Sequence, residues 1–387
     1  MLNPTKPNTA QQVFGKLNCA PVDKNANILL LVHDDMDGEG AYILLSLVYS
    51  NITCRRLTNG NMSMEIEKIF TDNTINNYDF VIAADISCSE KVCERISRHP
   101  AVGKFIILDH HTTADYLNKY SFGLCQSAVI TDGETIKEFY EYFGDKNQTP
   151  IDKLHSSGTT LMFDYLAYQN LFANTACAIY YLYRLLAHYI RCYDTWDWHD
   201  HMKNMEICKD LSLLYNAYGA DGFHMKLKQN IDHLCAGITD MNIMPISRHS
   251  LLFADDLFIL QCEVNKANRF VESIQNSVRT GTLIAPENGG VRYYSATYVS
   301  CNKYLQEVFD MMKQNYKDTD IYIINYGSGL SFRTSRDDLH VGELCKQQWG
   351  GGGHKGAGGM KIAKDMFCNF ICHDILSGEL ILDEKTK

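Results

Sequence analysis

Three short apolar runs, each ending in acidic or histidine residues, constrain this chain more than any other feature. Ile28–Val32 leads into His33-Asp34-Asp35-Met36-Asp37-Gly38-Glu39-Gly40, and a second apolar stretch, AYILLSLVY, follows. Residues 79–84 (DFVIAA) end at Asp85 and precede a helical KVCERISR, and residues 104–108 (KFIIL) end at Asp109-His110-His111. A continuous apolar run of this length reads as a strand buried on both faces. The pattern therefore predicts strand–loop–helix units joined by right-handed crossovers: an α/β fold with a mainly parallel sheet flanked by helices. Such sheets place ligands beyond the carboxyl ends of their strands, which is where the acidic and histidine residues fall.

The rest of the chain is less uniform. Residues 1–26 are polar, carry Pro4, Pro7 and Pro21, and read as a loose arm. Residues 155–235 have helical periodicity and open on serines suited to a helix cap. From Gly290 onward, the strand-like VRYYSATYV, IYIINY and LSFRTS alternate with helical segments and end in GGGGHKGAGG. The expected organisation is an arm over 1–26, an α/β domain over 27–205, a helical connector of uncertain structure over 206–289, and a smaller α/β domain over 290–387. With 387 residues, two or three domains are usual. The 45% hydrophobic content excludes a disordered chain.

A net charge of −10 argues against a long basic track for duplex nucleic acid, but not against a short nucleotide held through metals. The fourteen cysteines include no Cys-x-x-Cys pair. No apolar signal core opens the chain, and no segment reaches 18 apolar residues. The expectation is a reduced, cytoplasmic protein with no membrane segment.

Each candidate motif has an ordinary explanation. Asp35 and Asp37 project to one side if their segment is extended, as a metal pair would need, yet an acidic turn at a helix start looks the same. Asp85 alone reads as a helix cap. His110 and His111 are harder to place in a core, because both rings need polar partners. Asp194 sits beside aromatics in CYDTW, with Asp197 and His199 nearby taken as structural. The run Gly350–Gly353 with His354 and Lys355 could bring backbone amides to an anion, and is not a Walker loop. No single motif decides. Their order does.

In that order the segments resemble the DHH phosphoesterase family. DMDG, the aspartate of AADIS, Asp-His-His and the aspartate of CYDTW all occur in family sequence, and GGGGHKGAGG resembles the signature of the DHH-associated domain. The resemblance implies that Asp35, Asp37, Asp85, His110 and Asp194 hold two divalent cations, Mn²⁺ first with Mg²⁺ or Co²⁺ as substitutes. His33 is a further candidate, although it lies two residues before the first aspartate and not four. The resemblance also implies that His111 faces the scissile phosphate, that Asp109 orients a neighbouring histidine, and that Arg333, Gly351, Gly352, Gly353 and His354 grip substrate. The nanoRNase/oligoribonuclease branch is the nearest, which implies short RNA or linear dinucleotide substrates and leaves a homodimer open. Cyclic dinucleotides and 3′-phosphoadenosine-5′-phosphate are alternative substrates on the same residues. A nucleotide-binding regulator without catalysis is the alternative from another class, and a manganese-dependent inorganic pyrophosphatase is a second, against which the GGGGH run and the His33 spacing weigh.

Overall fold

In the computed structural model the described residues are 10–58, 60–130, 155–173, 175, 177–195, 206–237, 251–287, 290–353 and 355–362. The chain divides into two compact units, Met1–Gln261 and Cys262–Lys387.

The first unit begins with helix α1 (Ala10–Phe14), followed by strand β1 (Asn27–His33), helix α2 (Met36–Ser46), strand β2 (Asn51–Leu57) and helix α3 (Met62–Thr71). Strand β3 (Phe80–Ala84), helix α4 (Glu90–Ile96), strand β4 (Phe105–Asp109) and strand β5 (Gly123–Cys125) complete a five-stranded sheet in the order β2-β1-β3-β4-β5. Every pairing is parallel, with Leu30 opposite Ile82 and Ile82 opposite Ile106. The alternating residues explain why the runs are continuously apolar. Ile28, Leu30, Val32, Ile82, Ala84, Ile106 and Leu108 pack into one core, while Leu29, Leu31, Val81, Ala83, Phe105 and Ile107 pack into the other. The chain leaves β1 for β2 on one side and for β3 on the other, which opens a crevice at the carboxyl ends of β1 and β3.

Helices α5 (Gly158–Tyr168), α6 (Cys177–Asp194) and α7 (Glu206–Gly237) follow, with α7 broken at Gly219. Residues expected to form a loose arm instead bury Val13, Phe14, Leu17 and Ala20 in the first core, and the Tyr165 hydroxyl both accepts from the Ala20 N–H and donates to the Asn18 carbonyl. Four apolar side chains among polar neighbours were enough to anchor the segment. Helix α7, read from sequence as part of a connector, packs on α2 and α6 inside the first unit.

Helix α8 (Ala254–Ile274) runs across the division between the units. The second unit carries strand β6 (Arg279–Glu287), strand β7 (Gly290–Ser300), helix α9 (Leu305–Asn315), strand β8 (Ile321–Asn325), strand β9 (Gly329–Arg333), helix α10 (Val341–Trp349), strand β10 (Gly352–Gly353) and strand β11 (Ala357–Lys361). These form a mixed six-stranded sheet, β10-β11-β9-β8-β7-β6, in which only β7 and β8 are parallel. The sheet therefore starts at Arg279, twelve residues before VRYYSATYV, the first strand read from the sequence in this domain. The Phe332 ring stacks on Trp349 at 4.9 Å, which fixes α10 against β9. No helix among the described residues is long and apolar enough to cross a membrane.

Candidate metal centre

Each strand of the crevice delivers one part of the centre. His33 is the last residue of β1. Asp35 caps α2, its Oδ1 accepting the Gly38 N–H at 3.0 Å, and Asp37 already lies in the helix's first turn. The segment is thus not extended, as the simple side-to-side argument required. The cap and the following turn bring the two carboxylates inward instead, so the ordinary reading of Asp35 and the functional one hold together. Asp85 follows β3 with φ at +62°, a left-handed backbone that turns its side chain into the crevice. Asp109 ends β4, with His110 and His111 directly after it, and Asp194 is the last residue of α6.

These residues meet. His110 Nε2 lies 3.1 Å from Asp85 Oδ1, 3.6 Å from Asp194 Oδ2 and 3.8 Å from Asp37 Oδ2. His33 Nδ1 lies 2.5 Å from Asp35 Oδ2 and 4.0 Å from Asp85 Oδ2. Three trios, Asp85/His110/His111, His33/Asp35/Asp85 and Asp37/His110/Asp194, each place their ligand atoms within 4.8 Å of one another, and they share Asp85 and His110. Asp109 stands behind them. Its Oδ1 accepts the His110 N–H at 2.8 Å, the His111 N–H at 3.1 Å, and is 2.8 Å from His111 Nδ1.

Crowding of buried carboxylates dominates the electrostatics. Burial first, then the charges of Asp35, Asp37 and Asp194, push the Asp85 carboxyl well above its usual range. Burial, then Asp37 and Asp35, do the same to Asp194. Asp37 is also raised, by burial and by Asp35. At Asp35 burial works in that direction too, but the adjacent His33 outweighs it and holds the carboxyl low. Burial opposes charge on His111, yet Asp109, Asp194 and Asp35 push it up to about 9.

Buried anions that repel one another and lack partners suit a cation. The Oδ2 atoms of Asp85 and Asp194 are buried with no hydrogen-bond partner among the described residues. Carboxylate oxygens with imidazole nitrogens form a hard-to-borderline donor set, matched to Mn²⁺ or Mg²⁺ more than to a thiolate-bound metal. These residues fit divalent cations.

Several contributors are not visible as motifs. Gly158 and Thr159, from the start of α5, donate to the Asp37 carboxylate. Glu39, two residues beyond Asp37, is fully buried and accepts from Arg56 Nε at 2.7 Å, with His224 Nδ1 at 3.0 Å from its other oxygen. The Ser-Ser-Gly-Thr run does read as a helix cap, but nothing in it points to a partner 121 residues earlier.

In the second unit, Arg333 ends β9 opposite Tyr322 and Ala357. Gly350 ends α10 with φ at +68°, Gly351 follows, and Gly352 and Gly353 pair with Gly359 and Gly358 as edge strand β10. The glycine run is therefore a helix end and a short strand, not the open loop that the sequence suggests. His354, Asp197 and His199 lie outside the described residues.

No family model matches the chain. Oligoribonuclease NrnB of Bacillus subtilis (strain 168) is 24% identical over 349 residues, covering 88% of this chain and 74% of that protein. Among solved structures, exonuclease RecJ bound to manganese is matched over 96% of this chain and 94% of its own, at 12% identity and a TM-score of 0.43. The pGpG-specific phosphodiesterase PggH from Vibrio cholerae is matched over 91% and 98%, at 13% identity and a TM-score of 0.40. The four motifs of the DHH resemblance thus gather, in chain order, at one cluster, and an oligoribonuclease aligned along most of its own length supports that resemblance.

Proposed function

We propose that this chain is a metal-dependent phosphoesterase that hydrolyses short oligoribonucleotides or linear dinucleotides to mononucleotides, with Mn²⁺ as its working cation. The observation that carries the reading is the linked cluster of buried carboxylates and histidines at the sheet's carboxyl edge. Similarity to a curated oligoribonuclease supports the substrate class.

In this reading Asp35, Asp37, Asp85, His110 and Asp194 would hold two divalent cations, with His33 a further candidate ligand. Divalent cations bound there supply Lewis acidity at the phosphoryl oxygens and acidify the attacking water. The chain's own groups orient and protonate. Asp109 fixes the His111 ring and favours its protonated form, which places His111 to donate to a phosphoryl or leaving oxygen. Water adds to phosphorus, the bond to the leaving nucleoside oxygen breaks, and that oxygen takes a proton. Arg333, Gly351, Gly352, Gly353 and His354 of the second unit supply phosphate contacts, Arg333 through its paired N–H donors.

The test is a Mn²⁺-dependent hydrolysis screen of purified protein, resolved by chromatography. It offers 5′-labelled RNAs of two to seven nucleotides, pGpG, cyclic dinucleotides, 3′-phosphoadenosine-5′-phosphate and pyrophosphate. Conversion of the shortest RNAs or pGpG to mononucleotides is expected. Turnover of another compound with silence on RNA would move the substrate and keep the chemistry. Silence on all of them with Mn²⁺ bound would refute the enzyme reading.

A further inference from the structure

Asp37 is held from a distant part of the chain by more than its place in α2 requires. Its Oδ2 accepts the Gly158 N–H at 2.5 Å, its Oδ1 accepts the Thr159 N–H at 3.0 Å, and the Thr159 hydroxyl donates to the Asp37 carbonyl at 2.7 Å. One residue of α5 thus grips both the side chain and the main chain of Asp37. The grip is itself braced. Ser157 and Thr160 form a reciprocal capping box, so the first turn of α5 keeps its shape without Asp37. Ser157 and Thr159 are fully buried, so water does not compete for these donors.

The approach requires two positions without a side chain. A Cβ on Gly158 would lie 2.3 Å from Asp85 Cβ and 3.0 Å from Asp37 Oδ2. A Cβ on Gly40, one turn beyond Asp37, would lie 2.3 Å from Thr159 Oγ1. The 2.3 Å contacts are shorter than real Cβ atoms show and the 3.0 Å contact is tight, so alanine at either position would force α5 or its neighbours to shift. The amino end of α5 therefore abuts Asp37 and Asp85 together.

Left alone, a carboxylate facing Asp35, Asp85 and Asp194 would rotate away from them. Two main-chain N–H groups at the positive end of a helix oppose that rotation and offset the repulsion. They leave Oδ2 3.8 Å from His110 Nε2, on the side where the ligand atoms converge. We propose that Gly158 and Thr159 are positioning residues of the metal centre, and that the amino end of α5 fixes Asp37 in its cation-binding rotamer before any cation arrives. The proposal rests on the cluster being a metal centre but not on which phosphoester is cleaved.

The competing role is structural: Asp37 would merely cap α5, and loss of the contact would lower stability and nothing else. Mn²⁺ affinity separates the two. Metal-stripped full-length protein is titrated with Mn²⁺ by calorimetry, and circular dichroism checks the fold of each variant. Thr159→Val removes the hydroxyl at nearly constant volume and is expected to weaken Mn²⁺ binding about tenfold, the scale of losing a group that orients a ligand. Thr159→Ser should restore affinity to within about twofold, because it returns the hydroxyl. Gly158→Ala should lose more. Folded Gly158→Ala and Thr159→Val proteins that both keep wild-type affinity overturn the proposal, as does a serine variant no better than valine. If the valine variant does not fold, Thr159→Ala is read the same way. Wild-type protein that binds Mn²⁺ but cleaves no phosphoester would sink the proposed function while this inference stood on its affinities. Wild-type protein that binds no divalent cation would overturn both.

Discussion

Asp85 carries two burdens. Its left-handed backbone, at φ +62°, costs a non-glycine residue on the order of 1 kcal/mol. Its buried carboxyl adds repulsion from Asp35, Asp37 and Asp194. Asparagine tolerates the same backbone and removes the charge. Asp85→Asn should therefore raise the melting temperature of metal-free protein at pH 8 by a few degrees, roughly the effect of 1 kcal/mol in a domain of this size. It should also weaken Mn²⁺ binding by at least about 100-fold, so that added Mn²⁺ no longer stabilises it. Thermal melts with chelator and with Mn²⁺ read both effects, and a lowered melting temperature with affinity retained would contradict the account. His111 makes a second case. Its folded value of about 9 exceeds the ordinary 6.5, so protonation favours the folded state. Its contribution is complete below pH 6.5 and is lost as pH rises through about 9. In chelator, wild-type melting temperature should fall across that window, and His111→Gln should fall less. The sequence made the histidines legible because two adjacent rings after a buried strand need polar partners. Asp85 and Asp194 were not legible singly, since a lone aspartate after a strand is normally a helix cap and one beside aromatics is normally a surface residue.

Among elements, the three central strands were readable because burial on both faces leaves an unbroken apolar run, and their ends located the crevice. Helix α7 was read as helical, but its place in the first unit was not legible, because its buried residues switch faces at Gly219. Its role is to bring His224 to Glu39, where it stacks on Tyr42 at 4.0 Å. Arg56 of β2 completes this knot with a 2.7 Å bond to Glu39 and a 2.8 Å bond to Asp221, whose side chain is largely exposed. Glu39 is fully buried, so removing its strongest partner leaves an under-compensated charge on the helix that carries Asp37. Arg56→Met should destabilise the protein by about 2–3 kcal/mol, somewhat below the usual loss for a fully buried pair because His224 remains. Glu39→Gln should lose less, since the amide oxygen still accepts. Urea unfolding of both variants checks the order, and equal losses would show that charge is not what the knot supplies.

At the scale of the whole molecule, a chain with net charge −10 gathers its candidate metal-binding trios, among the described residues, in the first unit and carries Arg333 in the second. The sequence marked the first place by strands that end in acidic and histidine residues, and the second only through the family resemblance. It placed the division between the units poorly, because β6 has few of the alternation signals that reveal β7, and because a continuous helix, α8, spans the division. The proposed function assigns the two groups of residues different roles. If cations are held in the first unit and phosphate is gripped through Arg333, removing the guanidinium should affect substrate and leave the metals alone. Arg333→Ala is expected to raise KM for a dinucleotide about 10- to 100-fold, the loss of one charge-assisted contact of about 1.5–3 kcal/mol, with Mn²⁺ affinity unchanged. Arg333→Lys should recover only part of it, because a single ammonium cannot make the paired contact. His110→Ala should show the opposite pattern, losing Mn²⁺ affinity and turnover together. Steady-state kinetics at saturating Mn²⁺, paired with calorimetric titration of the metal, distinguish the cases. An Arg333→Ala variant that loses kcat with KM unchanged would place that guanidinium in the chemical step and not in the grip.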